Sequence, residues 1–265
     1  GFALPARAVV LPGLTSKIDY DNIDPARYSI HIDLTNQILS VYERDGTGAY
    51  SQLVLEGLCT TGGKATPTGT GTYRLGDLKE RFGYFVAFGQ YAQYWTQVVR
   101  GVYIHSVMYD TTSLSSLSKS AYRNLGKAVS HGCVRVLPEL AQWIFYNCPP
   151  GPACRITASV PADSARVNRL KSALPKYADY VSPADDRPAP PVLPATVRYD
   201  RTPLRTGFSS SRDTTIRRLS AGTPVDLLQL SEAWVKARTP DGKLGYIQTK
   251  YLLLDPDAGI WSGCN

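Results

Sequence analysis

The residues best equipped for chemistry lie together at positions 130–135, which read Ser-His-Gly-Cys-Val-Arg. Within this run the thiol of Cys133 directly follows a His-Gly pair and stands two positions before Arg135. Another histidine, His105, follows the apolar run at 101–104 and precedes Cys133 by 28 residues. A cysteine attacks a carbonyl as its thiolate, so it needs a base that takes its proton and donors that stabilise the oxyanion. Cys133 and His105 could supply the nucleophile and the base.

The neighbours of Cys133 offer the remaining groups. The peptide N–H groups of His131, Gly132 and Cys133 are candidate oxyanion donors, and Gly132 permits close approach of the backbone to a substrate. Arg135 could bind a substrate carboxylate through two parallel hydrogen bonds. Taken singly, a cysteine is usually buried and inert, an arginine usually reaches solvent and a histidine usually packs. Their combination in one short run is what favours a catalytic interpretation.

Strands with a clear pattern precede this run. Residues 28–42 alternate between apolar and polar side chains on either side of a turn, which predicts a β-hairpin. Residues 53–59 predict a third strand, and the glycine- and threonine-rich segment 60–73 predicts a sharply turned loop. His31 falls on the polar phase of its strand, so we interpret it as a structural residue outside the site.

Two further segments bear on the site. Residues 84–95 are rich in aromatic side chains, among them Tyr84 and Trp95. They allow two interpretations, a lid or substrate wall on the one hand and plain sheet packing on the other. Residues 138–146 place apolar side chains at helical spacing behind an early proline, which predicts a helix that begins soon after Cys133. A helix N-terminus directed at the sulfur would lower the pKa of the thiol.

The five cysteines give a mixed signal about redox state. Cys148 and Cys154 bracket a turn that contains three prolines and a glycine, which makes a disulfide between them a candidate and would favour an oxidising exterior. The odd total leaves at least one free thiol, and a pairing of Cys59 with Cys264 stays open. No Cys-x-x-Cys pair or His/Cys cluster has the spacing of zinc ligands, so the sequence predicts no metal site.

A proline-rich stretch separates the two halves of the chain. Residues 162–176 predict a short polar helix, and five prolines within 183–194 predict a stiff, extended linker. Beyond it, short strand-like pieces alternate with turns and predict a small β-barrel of about 60 residues. Trp234 and Tyr246 are interpreted as core residues of this barrel, with a glycan-binding platform as the alternative.

Composition limits the class of function. The chain has 265 residues, a hydrophobic fraction of 43% and a net charge of +7, which allows a real core and two domains. The basic excess is spread along the chain, which fits residence beside an anionic polymer such as a cell wall and lacks the dense Lys/Arg runs of a nucleic-acid binder. No stretch approaches the roughly 18 consecutive apolar residues of a membrane span. The chain begins at Gly1 without a methionine, and we expect that a signal or anchor has been removed.

Taken together, these residues resemble the signature of the YkuD-type L,D-transpeptidases. The resemblance rests on the run 130–135, on Gly126 four residues before Ser130, on the strand that ends in His105 and on the Thr-Gly and Thr-Pro-Thr-Gly-Thr segments at 61–70. It extends over roughly half of the chain. Where many family members carry a glycine after the upstream histidine, this chain carries Ser106. The C-terminal module in turn resembles a bacterial SH3-like domain of the cell-wall type.

The resemblance implies a role for each site residue. Cys133 would be the nucleophile and His105 the general base, oriented by the backbone carbonyl of Ser106. His131 and Gly132 would contribute to the oxyanion region. The residues expected to bind substrate are Arg135, Ser130, Tyr84 and Trp95, with support of the loop as an alternative role for Arg135.

The resemblance also implies a reaction, the formation of 3→3 crosslinks in peptidoglycan. The thiolate would attack the third residue of a tetrapeptide stem, release D-Ala and pass the acyl group to an amine of a neighbouring stem, without a cofactor. Carbapenems would acylate the same thiol. The expected partners are stem peptides and, through the SH3-like domain, the wall polymer, in an exported enzyme whose oligomeric state stays open. Alternatives are an L,D-carboxypeptidase or endopeptidase and a non-catalytic wall-binding protein, with a cytosolic thiol protease as a weaker rival.

The predicted fold is mainly β. It consists of a YkuD-type β-sandwich with few short helices, followed by a small SH3-like β-barrel. The predicted divisions are an N-terminal extension (1–25), the catalytic domain (26–158), a helical and proline-rich linker (159–194), the SH3-like domain (195–256) and a C-terminal tail (257–265).

Overall fold

The computed structural model describes residues 23–76, 79–85, 88–99, 101–185, 193–230 and 234–254. These residues fall into two compact units. The N-terminal unit contains the described residues up to Gly83 and from Gly89 to Asp185, and the C-terminal unit contains those from 193 onwards together with 84, 85 and 88. The predicted tail at 257–265, with Cys264, and nearly all of the predicted N-terminal extension lie outside the described residues.

The described residues up to 157 build two main sheets. Its strands are β1 (Tyr28–Asp33), β2 (Ile38–Arg44), β3 (Tyr50–Leu58), β4 (Thr61–Gly62), β5 (Gly71–Arg74), β6 (Lys79–Phe85), β7 (Gln90–Val99), β8 (Val102–Ser106), β9 (Ala128–Ser130), β10 (Val134–Val136) and β11 (Ala153–Thr157). A five-stranded sheet has the order β3-β2-β1-β11-β5, and a four-stranded sheet has the order β10-β8-β7-β6. The short strands β4 and β9 form a pair of their own. The prediction of a mainly β fold is confirmed.

The predicted N-terminal hairpin is confirmed. β1 and β2 pair in antiparallel fashion, and the register sets Ile30 opposite Val41 and Ile32 opposite Leu39. These four side chains are buried and form one face of the sheet, as strand alternation requires. Asp33 closes the turn because its carboxylate accepts hydrogen bonds from the backbone and side chain of the following residues.

Among the described residues, three α-helices accompany the sheets: α1 (Lys119–Arg123), α2 (Pro138–Asn147) and α3 (Ser164–Ala173). The predicted helix after Cys133 is confirmed as α2, which begins with Pro138 in its first turn and buries Leu140 and Ile144. α3 begins at the Asp163 cap, whose side chain accepts from the N–H of Arg166. Within the described residues, no helix has the length and apolar character needed to cross a membrane.

The segment between α3 and Asp185 packs onto the rest of the N-terminal unit. Tyr177 donates a hydrogen bond to the carbonyl of Leu117 at 2.6 Å, and the hydroxyls of Tyr109 and Ser182 lie 2.8 Å apart. Asp185 accepts from Tyr94 and Tyr146 and forms an ion pair with Arg81 at 2.5 Å, with its own side chain only 7% exposed. The sequence carries no local pattern for this docking, because each contact joins residues far apart in the chain.

The C-terminal unit is a seven-stranded sheet. Its strands are β12 (Leu193–Val197), β13 (Thr202–Arg205), β14 (Thr215–Leu219), β15 (Pro224–Leu230), β16 (Trp234–Arg238), β17 (Leu244–Gln248) and β18 (Leu252–Leu254). They pair in the order β14-β13-β17-β16-β15-β12-β18, and their inward residues form a core that includes Val197, Leu204, Leu227 and Ile247. Short helical turns of the 3₁₀ type lie at Leu114–Ser116, Tyr177–Asp179, Arg212–Thr214 and Thr249–Tyr251.

The predicted barrel is not closed. The strand order has two ends, at β14 and β18, and among the described residues β13 meets β17 only through the pair Arg205 and Tyr246. With so short a junction the sheet remains open instead of forming a continuous barrel. The core interpretation of Trp234 and Tyr246 is confirmed, since both are buried and both rings contact Phe208.

Candidate active site

Two adjacent parallel strands bring Cys133 towards His105. β8 ends at His105 and Ser106, while β10 begins directly after Cys133. The register sets Val134 beside Ile104 and Arg135 beside His105. Because side chains two positions apart in a strand share a face, Cys133 and Arg135 lie on the same face as His105. Val134 and Ile104, which precede Arg135 and His105 in the two strands, are fully buried and hold the strands in this register.

The imidazole of His105 is held in one orientation. It is buried at 1% exposure, and its Nδ1 lies 2.6 Å from the carbonyl oxygen of Ser106. A carbonyl only accepts, so Nδ1 carries the proton and Nε2 is the basic nitrogen. This is the contact that the sequence analysis expects of Ser106. The Ser106 hydroxyl also accepts from the N–H of Gln93 and donates to the carbonyl of Val107, both at 2.8 Å, which fixes the end of β8.

Burial keeps both partners of the pair uncharged. The pKa of His105 is lowered to about 3, first by burial and second by the charge of Arg135. The hydrogen bond to Ser106 acts in the opposite direction and raises the pKa. Burial raises the pKa of the Cys133 thiol, although the N–H of Tyr103 and the charge of Arg135 act in the opposite direction. At neutral pH the resting pair is therefore a thiol and a neutral imidazole. The proton has to move as the sulfur attacks.

The turn that carries Cys133 is held by its own hydrogen bonds. The Ser130 hydroxyl donates to the carbonyl of Cys133 at 2.6 Å and accepts from the N–H of Gly132 at 3.2 Å. Gly132 has φ +113°, a value that favours glycine. The Ser130 hydroxyl, predicted to bind substrate, and the Gly132 N–H, predicted to stabilise the oxyanion, are hydrogen-bonded to each other inside the turn in this structure. No described group accepts from the Cys133 N–H, which leaves it as the candidate oxyanion donor.

The loop at 60–70 supports this turn from the other side. Thr68, buried at 4% exposure, accepts from the N–H of Gly62 and donates to the carbonyl of Gly132, both at 2.8 Å. Thr60 exchanges two backbone hydrogen bonds of 2.8 Å with Arg135. A Cβ at Gly62 would lie 2.2 Å from the carbonyl oxygen of Thr66, so only glycine fits there. The loop is predicted from the sequence, but the contact of Thr68 with the turn is not, because nothing distinguishes this threonine from the others in the loop.

The four residues expected to bind substrate take different places. Arg135 is half-buried on the face of the nucleophile, and its Nε has no hydrogen-bond partner among the described residues. Trp95 is buried behind the imidazole, with ring centroids 5.9 Å apart, so it supports His105 from the core. Tyr84 lies half-buried on β6, outside the N-terminal unit, and Ser130 serves the turn. His131, the predicted oxyanion neighbour, has an exposed side chain.

The three other cysteines among the described residues are buried thiols. The structure has Cys148 and Cys154 as free cysteines, so the predicted disulfide is not formed in it. Burial raises the pKa of Cys148 to about 12, and it raises the pKa of Cys59 and Cys154 as well, so all three rest in the protonated form. Lys79 donates to the carbonyl of Cys148 at 2.7 Å. Among the described residues, no group of three or more His, Cys, Asp or Glu side chains is arranged to hold a metal ion.

Residues 27–160, about half of the chain, match the YkuD family, the L,D-transpeptidase catalytic domain. The chain therefore belongs to the YkuD family. It is 29% identical over 134 residues to YciB of Bacillus subtilis (strain 168), a protein named as an L,D-transpeptidase. That match covers 49% of this chain and 66% of YciB, so the chain spans just under two thirds of its relative.

Solved structures with partial similarity include an L,D-transpeptidase from Mycobacterium smegmatis, with 20% identity over 50% of this chain and 59% of that chain at a TM-score of 0.40. Another is an L,D-transpeptidase from Stackebrandtia nassauensis, with 20% identity over 57% of this chain and 67% of that chain at a TM-score of 0.39. Similarity at this level does not define an activity, and family membership rests on the match at 27–160.

Proposed function

We propose that the chain is a peptidoglycan L,D-transpeptidase that forms 3→3 crosslinks through a thioacyl-enzyme on Cys133. The observation that carries the proposal is the pairing of β8 with β10, which sets Cys133 on one face with an imidazole whose Nδ1 is anchored on Ser106. Membership of the YkuD family supports the class of reaction and of substrate. The geometry of the site supports the role proposed for each residue.

The first half of the reaction loads the enzyme. Nε2 of His105 takes the proton of the Cys133 thiol as the sulfur attacks the carbonyl carbon of the third stem residue. A C–S bond forms, and the carbonyl electron pair moves onto oxygen, where the Cys133 N–H donates to it. The tetrahedral intermediate then breaks its C–N bond. D-Ala leaves as a neutral amine that takes the proton from His105, and the stem remains as a thioester.

The second half transfers the acyl group. An amine on the side chain of a neighbouring stem attacks the thioester carbonyl and loses a proton to Nε2 of His105. The C–S bond breaks, the new amide is the crosslink, and the thiolate of Cys133 recovers the proton. Water in place of the amine would give a tripeptide and an L,D-carboxypeptidase, which is the second candidate function.

Arg135 is proposed to bind an anionic group of the substrate. Its guanidinium lies beside His105 on the face of the nucleophile, and none of the described acidic side chains forms an ion pair with it. A stem peptide carries free carboxylates that a guanidinium can bind with two hydrogen bonds. The same positive charge disfavours an imidazolium, so the imidazole of His105 is unprotonated before the thiol attacks.

For the rest of the chain the proposal is a wall enzyme. The C-terminal unit has a core of its own and is proposed as an SH3-like module that holds the enzyme on the wall polymer. The predicted domain divisions and export to the cell wall belong to the same proposal. A net charge of +7 supports residence beside an anionic polymer.

The test uses the full chain with disaccharide-tetrapeptides and reads the products by mass spectrometry. Crosslinked dimers that have lost one D-Ala support transfer, and tripeptide alone supports the hydrolase. A carbapenem adduct of one per chain is expected on wild type and none on Cys133→Ala, with circular dichroism as a check that the variant folds. Equal adduct formation or turnover in wild type and Cys133→Ala would show that the thiol is not catalytic and would favour a wall-binding protein.

A further inference from the structure

A cavity lies on the face of the five-stranded sheet that carries α3. It has a volume of about 250 Å³ and shares no residue with the candidate active site. Its lining includes the cations Arg155 and Arg166, the carboxylate of Asp33, the imidazole of His31, the ring of Tyr42 and several hydroxyls. A cavity of this size is small for a drug-sized ligand and gives room for a group of about one sugar ring.

Two of these residues stand side by side with no acidic partner between them. β1 and β11 are parallel, and their register sets His31 next to Arg155. Burial, and then the charge of Arg155, lower the pKa of His31. Arg155 has an exposed side chain and forms no ion pair or hydrogen bond with the described residues. A guanidinium and an imidazole that share a cavity in this way form a site for an anion.

The nearest carboxylates are already engaged. Asp33 accepts from the N–H groups of Thr35 and Asn36 and from the side-chain amide of Asn36 at 2.7 Å. Glu56, behind Arg166, accepts from both Arg166 and Arg169. These acids therefore neutralise other groups, and the charge of Arg155 is left for a ligand.

The other lining groups suit the body of such a ligand. The ring of Tyr42 packs against His31 with centroids 4.8 Å apart, which gives the cavity an aromatic side. Arg166 donates to the Ser40 hydroxyl at 2.8 Å, so that hydroxyl has its own proton to donate. Thr157 and Ser159 add further hydroxyls to the lining. We propose that this cavity binds a monosaccharide-sized ligand with one anionic group, a carboxylate or a phosphate monoester, held by Arg155 and His31.

Binding is coupled to protonation of His31. The charged or titratable groups around its imidazole are Arg155 on β11, Tyr42 on β2, Asp33 on β1, Glu56 on β3 and Arg166 on α3. In the free protein the uncompensated neighbour is Arg155, which disfavours the imidazolium. A bound anion compensates Arg155 and accepts a hydrogen bond from His31, so it raises the pKa of His31.

The experiment follows the imidazole resonances of the full chain by NMR. The chain has three histidines, and loss of one set in His31→Gln assigns His31. The probes are glucuronate, glucose 6-phosphate, inorganic phosphate and glucose as the neutral control, at constant ionic strength. A carboxylate source and a phosphate source are distinguished by which sugar saturates the shift at the lower concentration. We expect saturation at millimolar concentration, a rise in the pKa of His31 on binding, and no response to glucose.

Two matched variants decide the role of the guanidinium. Arg155→Gln should weaken binding of the charged sugar about tenfold or more, while Arg123→Gln, the same charge change at an exposed site outside the cavity, should leave binding unchanged. The proposal would be overturned if glucose bound as tightly as the charged sugars, or if the His31 resonance showed no saturable shift up to about 10 mM ligand. It would also be overturned if Arg155→Gln bound the charged sugar like wild type, or if the two variants lost equal affinity. Saturation by inorganic phosphate but by neither sugar would also overturn it, because the site would then accept a free ion only.

Discussion

Replacement of Thr68 by valine tests whether the loop at 60–70 positions the nucleophile. Valine has nearly the shape of threonine but lacks the hydroxyl, so the substitution removes two hydrogen bonds without opening a cavity. The N–H of Gly62 and the carbonyl of Gly132 would both be left buried without their 2.8 Å partner. The second of these belongs to the peptide unit whose N–H, on Cys133, is the proposed oxyanion donor.

The expected loss of stability follows from the number of buried polar groups left without a hydrogen-bond partner. A buried polar group without a partner costs about 1–3 kcal/mol, so two of them lower the free energy of unfolding by roughly 2–6 kcal/mol. A shift of the Cys133 N–H away from the developing oxyanion removes part of the stabilisation of the transition state. We expect the rate of acylation to fall about 10-fold to 100-fold, which corresponds to roughly 1.4–2.7 kcal/mol.

The assay compares two reactions of the same thiol. Acylation by a carbapenem passes through an oxyanion, whereas alkylation by iodoacetamide does not. Thr68→Val should slow acylation as above and leave alkylation within about twofold, with stability measured by urea unfolding. Thr70→Val is the matched control, since that residue is exposed in the same loop, and Thr68→Ser should restore acylation because it keeps the hydroxyl. Acylation and stability both within experimental error of wild type in Thr68→Val would refute this reasoning.

Three further predictions concern charge. Because burial lowers the pKa of His105 from 6.5 to about 3, the unfolded chain binds a proton between these pH values that the folded chain does not. The free energy of unfolding should therefore fall by up to about 1.4 kcal/mol per pH unit as the pH drops from 6.5 towards 3. In His105→Gln, urea unfolding should show a weaker dependence of this free energy on pH, and an unchanged dependence would contradict the lowered pKa of His105. Arg135→Gln should reduce alkylation of Cys133 by anionic iodoacetate about tenfold relative to neutral iodoacetamide, and an unchanged ratio would exclude anion binding by Arg135. Asp185→Asn should lower the free energy of unfolding by roughly 2–4 kcal/mol, because it weakens the contacts of this side chain with Arg81 and two tyrosines. The control is Asp179→Asn, at an exposed site nearby in sequence, which should change the free energy of unfolding by less than about 0.5 kcal/mol.

Much of the local structure could be predicted from the sequence. The hairpin of β1 and β2 follows from alternation around a turn, and α2 follows from helical spacing behind Pro138. Both signals depend on residues within a few positions of one another, where sterics and hydrogen bonding act directly. The family also follows from local sequence, because the run at 130–135 with His105 and Gly126 is specific enough to indicate it.

The tertiary structure decided how each group is used. The Ser130 hydroxyl and the Gly132 N–H are hydrogen-bonded to each other inside the turn that precedes β10, and Thr68 reaches the same turn from 64 residues away. His31 is a plain strand residue in the sequence, and it acquires Arg155 as a neighbour only through parallel pairing of β1 with β11. Contacts of this kind depend on which strands pair and in what register, which is set by burial over the whole unit and leaves no mark on the residues themselves.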